Sequence, residues 1–220
     1  MTMRFQHYIW DFDGCLCDSY PRTADLFLEV LRRSGTVPGR TLPTWDDVFL
    51  HLQVTWAHAK EYFGMTEEEY RLLHELEFDF TKDPPPPVLF AGMPELLADI
   101  VAAGGKNYLY TLRNHMAVET LERCGVASYF TDYITSDDGF PGKPAPNAVL
   151  HLMEKHRLDP AEVVMVGDRD LDGQSGLNAG ASGCLLTWLT KNCDGNDPLT
   201  VTAMPWKCRG ADAFRQIMEI

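Results

Sequence analysis

An alternation of apolar and amphipathic segments in the second half of the chain most narrows the folds available to it. Beyond residue 92, short apolar runs typical of buried strands alternate with segments whose apolar residues recur at helical spacing. Repeated strand–helix units pack as a parallel sheet covered by helices on both faces, so we predict an α/β fold with a Rossmann-like sheet. The predicted strands are 8–10, 108–111, 132–135, 163–166 and 184–186, and the predicted helices of this region are 93–103, 115–124, 144–156, 172–179 and 212–219.

Between the first predicted strand and this alternation, the chain contains only helix signals. Ser19 precedes a proline by two positions, and Thr44 and Thr66 each precede an acidic residue by three, which are patterns typical of helix starts. They predict helices over 20–33, 45–63 and 67–80. The proline run Pro84–Pro87 then predicts an extended, semi-rigid segment.

We therefore predict a helical cap domain, residues 19–85, inserted into an α/β core formed by residues 1–18 and 86–220. Within the core, the tail from 187 to 209 shows no regular pattern, and its role after Leu189 is not assigned. Ligands of open α/β sheets bind outside the carboxyl ends of the strands, so we expect the chemistry there.

The charge balance restricts the possible partners. The 220 residues include 32 acidic and 19 basic side chains, so the formal net charge at pH 7 is -13. Because so acidic a surface repels nucleic-acid phosphates and anionic lipids, we expect neither nucleic acid nor a membrane as partner. We find no signal-peptide pattern and no apolar run near the roughly 20 residues of a membrane span, and we expect a cytoplasmic protein. No pattern indicates an oligomeric state.

The six cysteines are expected to be reduced, because cytoplasmic thiols rarely form disulfides. Zinc sites commonly draw on C-x-x-C pairs, and the chain has none. Cys15 and Cys17 are separated by one residue and have no matching second pair. We therefore do not expect a zinc site.

Two groups of aspartates follow predicted strands. Asp11 and Asp13 come directly after the first strand, and Asp168 and Asp172 follow the strand over 163–166. Carboxylates brought together at one edge of a sheet repel one another unless a cation lies between them, and Mg²⁺ prefers oxygen ligands. Acidic turns and helix caps are common alternatives for each group taken alone, but one shared cation explains both.

Two further residues suit an anionic ligand at the same edge. Thr111 ends a predicted strand in a hydroxyl, and Lys143 stands just before a predicted helix. A helix N-terminus favours negative charge, so a lysine at this position is locally unfavourable. Lys143 is therefore expected to face an anion or an acid.

The order of these motifs resembles the haloacid dehalogenase-like (HAD) superfamily of phosphohydrolases. The resemblance rests on D-x-D-G at Asp11–Gly14, on Thr111, on Gly142–Pro144 and on G-D-x-x-x-D at Gly167–Asp172, and it covers about residues 6–187. The segment Asp11–Ser19 with a helical insert after it is similar to the branch that contains phosphoglycolate phosphatases and β-phosphoglucomutases.

The resemblance implies a catalytic apparatus. Asp11 would be the nucleophile that forms an aspartyl-phosphate, and Asp13 would donate and then accept a proton. Mg²⁺ would be held by Asp11, the backbone carbonyl of Asp13 and Asp168, while Asp172 would orient a metal-bound water or Lys143.

The same resemblance implies a phosphoryl-binding group. Thr111, the backbone of Leu112 and Lys143 would bind the phosphoryl oxygens, and Arg113 and Asn114 would contact the substrate. The helical insert would be a mobile cap that excludes water. The cap residues considered for specificity, each of which would more commonly face solvent, are Arg22, His51, His58 and Lys60.

These implications favour a Mg²⁺-dependent phosphatase that hydrolyses a small phosphorylated metabolite, such as phosphoglycolate or a sugar phosphate. A phosphomutase of the β-phosphoglucomutase kind would carry the same motifs and remains an alternative. A non-enzymatic phospho-acceptor or binding protein on the same fold is the alternative from another class.

Overall fold

The computed structural model describes residues 3–34, 41–78 and 88–220, and the chain divides into two compact units. We call the first, Met1–Asp18 with Pro87–Thr190 and Asp197–Ile220, the sheet unit. We call the second, Ser19–Pro86 with Lys191–Asn196, the helical unit. The segment Lys191–Asn196 thus groups with the helices, although the predicted core range 86–220 includes it.

The sheet unit is built on a parallel sheet. In the described part of the chain the sheet has six strands in the order β3-β2-β1-β4-β5-β6, and each neighbouring pair runs parallel. The predicted α/β fold class is confirmed. The strands are β1 (His7–Trp10), β2 (Lys106–Tyr110), β3 (Phe130–Ile134), β4 (Val163–Gly167), β5 (Ser182–Thr187) and β6 (Trp206–Arg209).

The helical unit consists of helices, and other helices, which belong to the sheet unit, cover the sheet. Strand β1 shows why both faces need cover, because Tyr8 and Trp10 pack into one apolar cluster and Ile9 packs into another. The helices of the helical unit are α1 (Tyr20–Arg33), α2 (Trp45–Leu52), α3 (Trp56–Tyr62) and α4 (Glu67–Phe78). Those of the sheet unit are α5 (Met93–Ala102), α6 (Met116–Arg123), α7 (Asn147–His156), α8 (Asp170–Asn178), α9 (Pro198–Val201) and α10 (Gly210–Met218). No helix in the described ranges is long and apolar enough to cross a bilayer.

Two sequence predictions about these elements are wrong. The region 187–209 was expected to be irregular, but it contains α9 and the edge strand β6, which pairs with β5 from Cys184↔Trp206 to Thr187↔Arg209. The helix predicted over 45–63 is two helices, because the Thr55 hydroxyl accepts a hydrogen bond from the His58 amide and starts α3 anew.

The predicted helix starts have mixed outcomes. The Thr44 hydroxyl accepts from the Asp47 amide at 3.2 Å, and Thr66 and Glu69 cap each other reciprocally. Ser19 precedes α1, but its backbone is already helical and its side chain makes no capping hydrogen bond. The proline run 84–87 and the predicted helix end at 79–80 lie outside the described residues.

A buried polar side chain ties the sheet to its covering elements. Asn107 in β2 is fully buried, and its Oδ1 accepts from Trp10 Nε1 at 2.9 Å. Its Nδ2 donates to the carbonyls of Leu97 in α5 and Tyr129 before β3, both at 3.2 Å. Buried polar groups are costly when they lose a partner, so this one amide holds three elements around β2.

We expect Asn107→Ala to lower the free energy of unfolding by about 2–4 kcal/mol, because it leaves the buried Trp10 indole N–H without its acceptor and removes two hydrogen bonds to backbone carbonyls. Urea unfolding followed by circular dichroism measures the change. Asn178→Ala is the matched control, because exposed Asn178 donates to the Pro144 carbonyl and its loss should cost less than about 1 kcal/mol. Equal stability of the two variants would contradict the structural role of Asn107.

Candidate active site

The order of the strands brings the predicted site residues together. Asp11 follows β1, Thr111 follows β2, and Asp168 follows β4. Strand β1 lies between β2 and β4, so all three residues stand at the carboxyl ends of adjacent parallel strands. This is the edge at which open α/β sheets bind their ligands.

Three of the predicted acids form one cluster. A carboxylate oxygen from each of Asp11, Asp168 and Asp172 lies within 4.8 Å of the other two. Asp11 is 2% exposed and Asp172 is fully buried. Among the described residues, none donates a hydrogen bond to the buried Oδ2 of Asp11. A donor set made only of carboxylate oxygens fits a hard divalent cation.

A buried lysine compensates part of this negative charge. Lys143 Nζ lies 2.5 Å from Asp11 Oδ1 and 2.9 Å from Asp172 Oδ1. The guanidinium of Arg169 lies farther out, 3.9 Å from Asp168 and from Asp172. The expectation that Lys143 faces an acid, drawn from its place before a helix, agrees with this geometry.

Burial and these charges shift the protonation equilibria. Burial and, to a smaller extent, the charge of Asp172 raise the pKa of Asp11, Lys143 acts in the opposite direction, and the net result is a pKa of about 6. Burial works to lower the pKa of Lys143, but the two carboxylates outweigh it and raise that pKa. The lysine therefore stays protonated, while Asp11 can change its charge near neutral pH.

Asp172 makes one contact that caps a helix and another with Lys143 in the candidate site. It stands in the first turn of α8, where its Oδ2 accepts from the Arg169 amide at 3.0 Å, so the helix-cap interpretation applies. Its other oxygen faces Lys143. Gly167 permits this approach, because a Cβ at that position would lie 2.3 Å from the Asp172 Cβ and 2.4 Å from its carboxylate.

Asp13 is held by an arginine. Arg113 Nε lies 3.1 Å from both carboxylate oxygens of Asp13, and its Nη2 lies 2.8 Å from Oδ1. Arg113 is buried, and its guanidinium forks onto the carboxylate in the geometry that makes such pairs strong. Sequence reasoning missed this pair. The available signal was an arginine two positions beyond the strand-end Thr111.

The remaining predicted phosphoryl-binding residues lie in the same turn after β2. Buried Thr111 accepts at its hydroxyl from the Arg113 amide at 3.0 Å, and Leu112 is exposed. Asn114 Oδ1 accepts from the Met116 amide at 3.2 Å and so supports the start of α6. Their roles toward a substrate stay predictions.

The four residues considered for specificity lie in the helical unit. Arg22 lies 3.7 Å from Glu77, and Lys60 forms an ion pair with Glu67. The other two, His51 and His58, contact each other.

The chain is similar in sequence and in fold to known hydrolases. Residues 8–185 match the model of a haloacid dehalogenase-like hydrolase. A phosphoglycolate phosphatase from Vibrio vulnificus is 29% identical over 220 residues, which span 96% of this chain and 93% of the relative. A hydrolase from Streptococcus pneumoniae of known crystal structure is 30% identical, with a TM-score of 0.65 over 99% of this chain and 100% of its own.

A predicted phosphoglycolate phosphatase from Haemophilus somnus shares the fold, with a TM-score of 0.76 at 19% identity over 100% of this chain and 99% of its own. The parallel sheet and the acids at its strand ends thus define a class of α/β hydrolase. The chain belongs to the haloacid dehalogenase-like hydrolase family, whose model covers most of it. The predicted resemblance is confirmed, and the names of the relatives support the predicted phosphatase activity.

Gly167→Ala should destabilise the protein by about 1–3 kcal/mol, because the new methyl group overlaps the Asp172 side chain and displaces it from Lys143. Gly142→Ala is the matched control, since its Cβ would meet only Leu112 carbons at 3.6 Å and 3.9 Å. Denaturant unfolding of both variants measures the difference. Wild-type stability in Gly167→Ala would show that the close approach is not required.

Proposed function

We propose that this chain is a Mg²⁺-dependent phosphatase of small phosphomonoesters that forms a phosphoryl intermediate on Asp11. The observation that carries the proposal is the buried Asp11 carboxylate. One of its oxygens is held by Lys143, and no described residue donates a hydrogen bond to the other. A carboxylate fixed in this way has one oxygen positioned by a cation and one oxygen free to act as a nucleophile.

The surrounding acids and the fold family support a divalent cation as the metal cofactor. Asp11 and Asp168 with the Asp13 carbonyl would hold Mg²⁺, which would neutralise the charge between these carboxylates and an incoming phosphoryl group. Asp172 would act through Lys143, which it contacts. The anionic substrate then meets a site whose negative charge has been offset.

The reaction proceeds in two displacements at phosphorus. In the first, Asp11 Oδ2 forms an O–P bond, the ester P–O bond breaks, and Asp13 gives its proton to the departing alkoxide. In the second, Asp13 takes a proton from a water molecule whose oxygen bonds to phosphorus, and the bond to Asp11 breaks. The products are the alcohol and inorganic phosphate, and both aspartates return to their starting states.

Arg113 has a positioning role in this scheme. We predicted from the sequence that Arg113 contacts the substrate. Its Nε and Nη2 already lie on the Asp13 carboxylate, and this contact favours a role in positioning Asp13. Thr111, the backbone of Leu112 and Lys143 would bind the phosphoryl oxygens, and Asn114 is a further substrate contact. Phosphoglycolate is the first substrate to test, because a relative similar over most of its length carries that activity in its name.

Asp11→Asn should reduce phosphate release by at least about a thousandfold with the fold retained, because the change removes a nucleophile but little volume. The assay measures inorganic phosphate from a panel of phosphorylated metabolites, phosphoglycolate included, with circular dichroism as the check on folding. Rapid-quench mass spectrometry should detect a phosphoryl adduct in the wild-type chain only.

Asp170→Asn is the matched control for this experiment. It makes the same carboxylate-to-amide change at the first residue of α8, where Asp170 is exposed and accepts from the Thr202 hydroxyl. Near-normal turnover is expected. Full activity of Asp11→Asn would rule out the assigned nucleophile, and a wild-type adduct that persists for minutes would favour a phospho-acceptor over an enzyme.

EDTA should inactivate the enzyme, and added Mg²⁺ should restore its activity. The affinity for Mg²⁺ should depend on pH through the ionisation of Asp11. Its pKa of about 6 lies above the unfolded value, so without a cation the ionisation of Asp11 costs stability as pH rises from about 4 to 6. Protons therefore compete with Mg²⁺ below pH about 6, and the affinity should fall by up to about tenfold per pH unit there.

The Mg²⁺-induced rise in melting temperature, measured near pH 5 and near pH 7.5, tests this. We expect the larger rise at the higher pH. Lys143, Asp172 and Arg169, whose charges act on Asp11, are unchanged in Asp11→Asn, so that variant should lose the difference. Turnover without a divalent ion, or equal Mg²⁺ affinity at both pH values, would contradict the cation site.

A further inference from the structure

The helical unit contains a second group of metal-binding side chains, separate from the acidic cluster. Its members are His51 in the last turn of α2, His58 in the first turn of α3 and Cys193 in the segment 191–196. One ligand atom from each lies within 4.8 Å of those of the other two. His51 Nδ1 and His58 Nε2 are 2.9 Å apart.

The local structure explains why the two histidines meet. Helix α2 ends at Leu52 and α3 begins at Trp56, so a short turn places the end of one beside the start of the other. The Thr55 hydroxyl fixes the His58 amide at 2.9 Å. The His51 ring stacks on the Tyr62 ring with ring centres 3.8 Å apart, and this contact fixes the plane of the His51 imidazole.

Cys193 is presented by a closed turn. The Asn192 side-chain oxygen accepts from the amides of Asp194 at 3.0 Å and Asn196 at 2.9 Å. The backbone of Asn192 also donates to the Asn196 carbonyl at 2.7 Å and accepts from the Gly195 amide at 3.0 Å. These hydrogen bonds close the turn that carries Cys193, and the charge of Asp194 acts on both His51 and Cys193.

The donor atoms suit zinc better than magnesium. Imidazole nitrogen and thiolate sulfur are the common zinc ligands, whereas magnesium takes oxygen. Ligand atoms of one tetrahedral zinc ion lie roughly 3.3–3.6 Å apart, given its bond lengths. The histidine nitrogens need to separate by a few tenths of an ångström from 2.9 Å. All three side chains are partly exposed, so an ion can reach them from solvent.

We propose that His51 Nδ1, His58 Nε2 and Cys193 Sγ bind one zinc-class divalent ion, with water completing a four-coordinate site. Binding breaks the Cys193 S–H bond, forms a metal–sulfur bond and releases one proton to solvent. The ion links α2, α3 and the segment 191–196. Two of its ligands, His58 and Cys193, are 135 residues apart in the chain (193 − 58). Its expected effect is to stabilise the helical unit.

Titration of the metal-free full-length chain with Zn²⁺, and with Co²⁺ as a spectroscopic probe, tests the proposal. We expect one Co²⁺ to bind with a near-ultraviolet thiolate-to-cobalt charge-transfer band, and Zn²⁺ to abolish that band by displacement. Zn²⁺ should also raise the melting temperature. The charge-transfer band requires a cysteine ligand, so it separates this site from the acidic cluster, which offers only oxygen.

Cys193→Ser and His58→Asn provide the decisive variants. Each should weaken Zn²⁺ binding by at least about tenfold, and Cys193→Ser should also abolish the cobalt band. Cys124→Ser and His151→Gln are matched controls, since they change a partly exposed cysteine and an exposed histidine of the sheet unit. Both should bind both ions as the wild type does.

A cobalt band that survives in Cys193→Ser would overturn the proposal. So would a wild-type chain that takes up no Zn²⁺ at micromolar concentrations, in which case the contact between His51 and His58 is a metal-free hydrogen bond. His58→Asn keeps the test open even if Cys193→Ser fails to fold. These outcomes do not depend on phosphatase activity, so they stand or fall separately from the proposed function.

Discussion

The contact of Lys143 with two buried aspartates is the interaction on which the rest of the site depends. Lys143 Nζ lies 2.5 Å from Asp11 and 2.9 Å from Asp172, and all three side chains are buried. A buried charge without a partner costs several kcal/mol, so these groups constrain one another to be present together. Lys143 offsets only part of the charge of the three clustered carboxylates, and Arg169 lies farther out, 3.9 Å from Asp168 and from Asp172, so the cluster is a candidate cation site.

The sequence predicted the elements that repeat and the residues that follow them. Strands such as β1 and β4 are apolar runs buried on both faces, so composition alone indicates them, and the acids just beyond them fall at one sheet edge. Strand β6 was missed because it is a short edge strand with only Cys208 fully buried, which leaves no apolar run to detect. The division between α2 and α3 was missed because it depends on one hydroxyl, that of Thr55.

The pairing of Arg113 with Asp13 could not be predicted. The two residues are 100 apart in the chain, and the one signal, an arginine two positions beyond the strand-end Thr111, does not indicate its partner. Zinc ligands can also come from distant segments. The lack of a C-x-x-C pair excludes only sites built from neighbouring cysteines, whereas the ligand group in the helical unit takes Cys193 from a segment far from its histidines.

The two ligand groups differ in both chemistry and location. The acidic cluster of the sheet unit offers oxygen atoms at strand ends, and the group of the helical unit offers two nitrogens and a sulfur. Carboxylates suit hard ions such as Mg²⁺, while imidazole and thiolate suit zinc and its neighbours in the transition series. By ligand type, the acidic cluster therefore suits Mg²⁺ and the group of the helical unit suits zinc.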